Sequence, residues 1–408
     1  MKTYFYNGHI IDAVAEDHVF DAMYVEDQKI VSVGNHEVLK NQIPQDATWE
    51  DLKGRYVIPG LIDCHAHMLM TSTSVEKMLM TYRSLGLFRG IRNLENTLKM
   101  GITTVRDCGG CDPGIRIAIE EGIIRGPRLR TCGILTPTGG HNETYFPIGY
   151  SLDIEPGNTD SVYDGVEGVT VGTRTRIRQG YDFVKITATG GINDPQTEPF
   201  APEYTLDEIK KIVEISKMRG KDIVVAHCHG GEAVRLCLEG GIRSIEHGTW
   251  IDDECMAMMV EKDAYYVPTL SITHFMEEQQ KEMELPAYTI EKHNRTKGIA
   301  LETFHRALKY GVKICMGTDA ASELMHGQNA MELCLMVENG MDPYDALLTG
   351  TRNAAELLQL SNEIGTLESG KLADFVILEK DPLKDFHILL DPAMITAVYK
   401  EGGKVNRE

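Results

Sequence analysis

The sequence predicts an α/β protein: a (β/α)8 TIM barrel with a small β-sandwich module formed by the N- and C-terminal segments. Three observations lead there. Eight short apolar β runs alternate with longer helical stretches through the middle of the chain. Both ends instead show period-two alternation punctuated by Gly, Asn and Asp. The length, 408 residues, accommodates one barrel of roughly 250 residues and an appended module.

The elements follow in order. TYFYNGHIID, AMYVEDQKIVSVG and ATWEDLKGRYV read as short strands of a β module. From Val57 the pattern changes, and the barrel strands are expected at 57–65, 102–109, 128–136, 183–190, 223–229, 244–248, 265–270 and 312–319. Helical stretches are expected at 205–219, 291–310 and 343–358. The tail, GKLADFVILEKDPL followed by MITAVYKEGGKV, returns to β alternation and is expected to complete the opening module. Residues 1–57 and 369–408 therefore form a composite sandwich, and 58–368 the barrel. Two connections, 137–173 and 271–288, read as long loops after a strand's C-terminal end, the face where barrel active sites are built.

Composition excludes several classes. Lys+Arg 41 against Asp+Glu 61 gives a net charge of −20, which argues against a nucleic-acid partner. No apolar stretch reaches the ~18 residues of a membrane helix, and the N-terminus lacks an apolar signal core. Nine cysteines, an odd number without repeated spacing, fit reduced buried thiols, so a cytoplasmic protein is expected. Cys108 and Cys111 form one CxxC, read as structural because no second pair exists and Gly-Gly separates them.

The chemistry gathers at strand ends. His65 and His67 stand two apart, so on a strand their side chains share a face and can grip one metal ion. Lys185, His227, His247 and Asp319 also fall at the ends of expected strands. Lys185 shares a face with Phe183 and Thr187 in an otherwise apolar strand. Burying an ammonium is costly, which favours the neutral nucleophilic amine. Such an amine can take up carbon dioxide as a carbamate, whose two anionic oxygens can bridge two cations. With Asp319 it would supply the negative charge that four imidazoles lack. Imidazole and carboxylate ligands suit zinc best, with manganese, iron or cobalt as alternatives.

VIPGLIDCHAH, FVKITATGG, HCHG, IEHG and MGTDA together resemble the amidohydrolase superfamily, and the opening module and GTLESGKLADFVIL tail extend the resemblance over nearly the whole chain. The likeness is to its binuclear lysine-carbamate class, and within it to the imidazolonepropionase-like and Xaa-Pro-type metallo-dipeptidase branch. It implies two divalent metal ions, with His65, His67 and Asp319 on the first, His227 and His247 on the second, and N-carboxylated Lys185 bridging them. It also implies a bridging hydroxide as nucleophile and Asp319 as base and then acid. The substrate implied is a small amide, a dipeptide or N-acyl amino acid, with cyclic amides, lactones and xenobiotic amides as alternatives. A mononuclear deaminase is disfavoured because Gly230 stands where that class has a proton-shuttling Glu, and an inactive scaffold because all six ligands are retained. The sequence is compatible with a homo-oligomer.

Three further residues are candidate substrate contacts. His229 lies two beyond His227, and His141 follows two glycines in TGGHNETY; both are also candidate catalytic groups. Tyr145 lies in the same loop, as does Tyr150, where aromatics also serve to pack a loop down. No Lys or Arg occurs between Pro137 and Thr173, so that loop supplies no cationic clamp for a substrate carboxylate. Its acids Glu143, Asp153, Glu155 and Asp160 would better serve a cationic residue. His326 is read as structural.

Overall fold

The computed structural model describes residues 2–141, 143, 161–278 and 285–405. Eight strands form one parallel ladder in chain order: β1 Leu61–Ala66, β2 Ile102–Asp107, β3 Arg128–Leu135, β4 Phe183–Thr187, β5 Val224–Cys228, β6 Ser244–His247, β7 Tyr265–Val267 and β8 Lys313–Ile314. The ladder curls until its ends meet. The Cys64 amide donates to the Met316 carbonyl at 2.9 Å and Ala66 bridges Ala320 in parallel, so the chain beyond β8 closes the ring against β1. All eight expected strands are present, and the fold is the expected TIM barrel with additional sheets. Helices return the chain between strands, and their starts are written locally. Thr205 and Glu208 form a reciprocal capping box ahead of Leu206–Met218, and Asp112 and Asp342 cap helices that begin with proline.

The two chain ends build two further sheets. One joins Lys29–Gly34, Ala22–Glu26, Lys2–Tyr6 and Thr48–Asp51; the other joins Gly403–Lys404, Ile395–Lys400, Phe375–Leu378, Tyr56–Pro59 and His9–Ile10. As expected, the tail pairs with the opening segment, Phe375 opposite Pro59. Phe375 stacks on Tyr399 with centroids 4.4 Å apart, and Phe5 meets both edge-on. Burying each such ring stabilises by roughly 1.5–3 kcal/mol.

Four expectations of extent are corrected. The run 57–65 is two strands, because the chain changes sheets at Gly60: its amide bonds to Asp374 and the next amide to Gly101. A Cβ at Gly60 would overlap Thr103. The helical stretch 343–358 is Pro343–Thr349 and Arg352–Leu357, interrupted where the Gly350 carbonyl turns to accept from Ile62. The expected loop at 271–288 is largely helix, Leu270–Glu278 and then Ala287–Tyr310. The buried Glu332 side chain accepts the Leu270 and Ser271 amides at 2.9 and 2.7 Å, satisfying two of the free amides at the helix start. The expected loop 137–173 likewise ends in a helix, Gly165–Arg178.

Candidate metal centre

At the C-terminal ends of the strands the six expected ligands lie together. His65 ends β1 with His67 just beyond it, Lys185 lies in β4, His227 in β5, His247 closes β6, and Asp319 follows β8. The rings form a connected set, with centroids 5.5 Å apart for His65 and His67, 4.9 Å for His65 and His247, and 4.6 Å for His227 and His247. Ligand atoms of His65, His67 and Asp319 all lie within 4.8 Å of one another. Lys185 Nζ is 3.3 Å from His65 Nε2, and Lys185 is buried.

Backbone conformation helps aim these groups. His247, Thr269 and Asp319 all have φ between 52° and 65°, a left-handed conformation uncommon for residues other than glycine. Each carries roughly 1–3 kcal/mol of strain that the surrounding structure must hold. For Asp319 part of that hold is its amide, which donates to the His65 carbonyl at 2.7 Å.

Each imidazole has a defined second partner. His65 Nδ1 faces Glu246 Oε2 at 2.7 Å, His67 Nδ1 the Gly109 carbonyl at 2.7 Å, and His247 Nδ1 the Thr269 hydroxyl at 2.8 Å. A carbonyl can only accept, so His67 carries its proton on Nδ1, and its Nε2 lone pair points at Asp319 Oδ1, 3.1 Å away. Two acceptors this close require a cation or a second proton between them. His227 is oriented the other way: Nε2 donates to the Gly190 carbonyl at 3.1 Å, leaving Nδ1 as the lone pair. These outer bonds fix tautomers as outer partners do for metal-binding imidazoles. The donor set therefore fits divalent cations.

The electrostatics agree. Burial holds His65, His227 and His229 well below the usual imidazole range and pulls His247 down to about 4, so these rings are neutral. For His67 burial acts downward too, but the bonded Asp319 carboxylate reverses it and raises the ring overall. Burial opposes the charge on Asp319, yet its bond to His67 and the neighbouring His247 and Lys185 keep it below the ordinary carboxylate value.

The other candidates fall into two groups. His229 and His141 join the cluster: His141 is 4.4 Å from His227 by ring centroids, and His229 is 4.8 Å from His227 and 5.3 Å from His247. Both are buried, and Nδ1 of each lacks a hydrogen-bond partner; for His141 the nearest carboxylate oxygen, Asp194 Oδ2, stands 3.8 Å away. Gly191 makes room for His141, since a Cβ there would overlap its ring. Tyr145, Tyr150, Asp153, Glu155 and Asp160 lie outside the described residues. His326 faces the Met70 carbonyl at 3.3 Å, next to the His67 backbone, and Cys108 and Cys111 are free and buried.

Sequence reasoning missed a buried support layer. Arg106 donates to the Cys64 carbonyl at 2.5 Å, to Ser244 at 3.1 Å and to Glu246 Oε1 at 2.7 Å. Glu246 thus ties Arg106 to His65 through its two oxygens. Asp107 accepts the Met68, Gly109 and Cys111 amides and so fixes the carbonyl that His67 uses. Asp63 accepts from Thr318 at 2.6 Å and Asn329 at 2.7 Å, steadying the approach to Asp319. The signal for Arg106 and Glu246 was the one that marked Lys185, a charge inside an apolar strand.

A closed parallel barrel with this donor cluster at its C-terminal mouth, and a sandwich built from both chain ends, defines a class: the chain belongs to the amidohydrolase family, which it matches over residues 56–405. Ochratoxinase of Aspergillus niger is 30% identical over 423 residues, covering 99% of this chain and 86% of that protein. Two solved structures are also similar. A prolidase complexed with N-methylphosphonate-L-proline has a TM-score of 0.90 at 29% identity, covering 100% of both chains. A Xaa-Pro dipeptidase with bound methionine in its active site has a TM-score of 0.89 at 31% identity, covering 99% of both. The superfamily and peptidase-like branch read from the motifs are borne out.

Proposed function

We propose that this chain is a binuclear metal-dependent hydrolase that cleaves the C–N bond of a small amide, a dipeptide or N-acyl amino acid. The observation that carries the proposal is the convergence of four imidazoles, Lys185 and Asp319 at one barrel mouth, with second ring nitrogens already engaged. His65, His67 and Asp319 would hold one ion, His227 and His247 the other, and carboxylated Lys185 would lie between them. When bound, two such ions, zinc by donor chemistry, supply Lewis acidity toward a carbonyl and acidify water.

The chain's own residues do the rest. Asp319 accepts the attacking water's proton at a carboxylate oxygen and returns it to the leaving nitrogen, which otherwise departs as a poor amide anion. His229 and His141, packed against His227 and His247, would contact the substrate oxygen atoms. The similarity to a prolidase and a Xaa-Pro dipeptidase supports a dipeptide, and that to ochratoxinase supports a xenobiotic amide as the second reading.

The test is amine release by zinc- and bicarbonate-reconstituted protein from dipeptides, N-acyl amino acids and cyclic or aryl amides, with Lys185→Ala alongside. Hydrolysis of dipeptides or N-acyl amino acids that is lost in the variant supports the proposal. Silence from fully loaded protein across the set, or equal rates in the variant, overturns it.

A further inference from the structure

We propose that Lys292 is a positioning residue for the second-ion side of the centre: its buried ammonium fixes the loop 190–197, whose Gly190 carbonyl orients His227 and whose Gly191 admits the His141 ring. The inference rests on the proposed function, in which His227 is a ligand and His141 a substrate contact.

Lys292 lies outside the barrel strands, in the helix Ala287–Tyr310, and is 6% exposed. Its Nζ donates to the Asp194 carbonyl at 2.6 Å, to the Gly191 carbonyl at 3.3 Å and to the Thr197 carbonyl. An ammonium has three protons, so one side chain meets three backbone acceptors of a single loop. Those carbonyls converge because the loop closes on itself. The Gly191 amide donates to Thr197 Oγ1 at 3.1 Å, and Asp194 Oδ1 accepts the Gln196 and Thr197 amides at 2.9 and 3.3 Å. Gly191, Asp194 and Thr197 are all buried. Removing the ammonium strands their carbonyls, a cost the loop relieves only by moving outward to water.

Movement there reaches the centre in two places. The Gly190 carbonyl accepts from His227 Nε2 at 3.1 Å, the bond that leaves Nδ1 as the lone pair. A Cβ on Gly191 would overlap the His141 ring, so there is no slack between that backbone and the ring, and Asp194 Oδ2 stands 3.8 Å from His141 Nδ1.

The same helix holds more than this one point. Tyr288, Lys292 and Arg295 share a face at i, i+4 and i+7; the Tyr288 hydroxyl reaches the Asn193 carbonyl at 3.5 Å, and Arg295 pairs with Glu198 at 3.1 Å. Farther along, Thr303 accepts the Trp250 amide at 2.9 Å and Arg306 donates to the Ile251 carbonyl at 2.8 Å, just behind His247. One helix thus braces the segments beside both second-ion ligands. The supports of His65, His67 and Asp319 come instead from the barrel strands, through Glu246, Asp107 and Asp63. The two sides of the centre have separate scaffolds, and Lys292 belongs to one of them.

The test is stepwise zinc binding, read by competition with a chromophoric chelator in wild type, Lys292→Met, Lys292→Arg, Arg295→Ala and Glu246→Gln. The expected result is that Lys292→Met weakens one zinc step roughly 10- to 100-fold and leaves the other within about threefold, as outer partners of metal-binding imidazoles do. Glu246→Gln should weaken the other step, Lys292→Arg should recover part of the loss, and Arg295→Ala, which touches the loop but not its carbonyls, should change neither. Should Lys292→Met fail to fold, Lys292→Arg and Tyr288→Phe carry the same comparison. Both steps weakened alike, neither weakened, the step of Glu246→Gln weakened, or an equal effect in Arg295→Ala overturns the inference. Turnover is read separately: two ions bound without hydrolysis of any amide refutes the proposed function, and the zinc steps still decide the role of Lys292. Fewer than two ions in wild type refutes the binuclear reading, and NMR of isotope-labelled histidine in metal-free protein then decides. A His227 proton held on Nε2 in wild type and shared between both nitrogens in Lys292→Met supports the inference; the same tautomer in both overturns it.

Discussion

Replacing Glu246 by Gln is expected to weaken both the fold and the metal centre, by amounts the geometry sets. The fully buried carboxylate accepts from Arg106 at 2.7 Å, Ser244 at 2.5 Å and His65 at 2.7 Å. Among the described residues Arg106 has no other ion-pair partner within 4 Å, and it is itself fully buried. At an effective dielectric of about 20 a unit-charge contact at this distance is worth roughly 6 kcal/mol before desolvation. Breaking such a pair while leaving the cation buried costs about 3–5 kcal/mol net. The carboxamide also weakens the bond that presents His65 Nε2, which for outer partners of metal-binding histidines lowers affinity roughly 10- to 100-fold. Urea unfolding of the metal-free protein, followed by circular dichroism, reads the first effect, and competition with a chromophoric chelator the second. The double variant Arg106→Met with Glu246→Leu should recover much of the stability, because no charge is then stranded, but none of the metal affinity. A Gln variant within about 1 kcal/mol of wild type and unchanged in affinity would refute this account of the support layer.

The remaining predictions concern single residues. Lys185→Ala should lower bound zinc measured by mass spectrometry and make zinc uptake independent of bicarbonate. Gly191→Ala places a methyl in the His141 ring and should lower kcat/KM tenfold or more at unchanged metal content, overpacking of this kind being worth about 1–3 kcal/mol. Burial pushes the Glu203 carboxyl, which accepts the His141 amide, up to about 7. Its unfolded value is about 4.3, so the folded chain holds the proton more tightly; the stability this gives is present below about pH 4 and lost as pH rises through 7. Glu203→Gln should therefore flatten the melting-temperature profile between about pH 5 and 8, and a profile unchanged in that variant would exclude Glu203 as its source.

What the sequence made legible was local, and what it hid was long-range. Each barrel strand announces itself as a short apolar run, and His65, His67, His227, His247 and Asp319 each sit where such a run ends. Strand order then brings them together without further information, because parallel neighbours in register put all C-terminal ends at one rim. The helix Leu270–Glu278 was hidden because its N-terminus is held by Glu332, some sixty residues downstream. The break at Gly60 depends on Thr103 and Asp374, which no window around Gly60 contains. Arg106 and Glu246 were visible as charges in apolar strands, but their role needs both at once: alone each reads as a misfit, and together with His65 they form a chain of hydrogen bonds.

The same arrangement that suits the centre to cations makes the apo-protein harder to hold together. Burial keeps the rings of His65, His227 and His247 neutral, which is the form that binds metal, but it also packs lone pairs and a carboxylate against one another beside Lys185. His247, Thr269 and Asp319 add left-handed backbone at the same rim. These terms oppose folding in the absence of cations and are offset when cations bind, so metal affinity and stability are one linked quantity here. Binding at a thousand times the dissociation constant adds about 4 kcal/mol. A variant that loses activity through loss of metal will therefore also melt earlier, and stability alone cannot separate a ligand from a structural residue. The support layer can be separated, because the Arg106 and Glu246 pair lies beneath the ligands: removing both charges should restore the fold and not the centre. That divergence is the signature of residues whose place in the barrel is to aim His65.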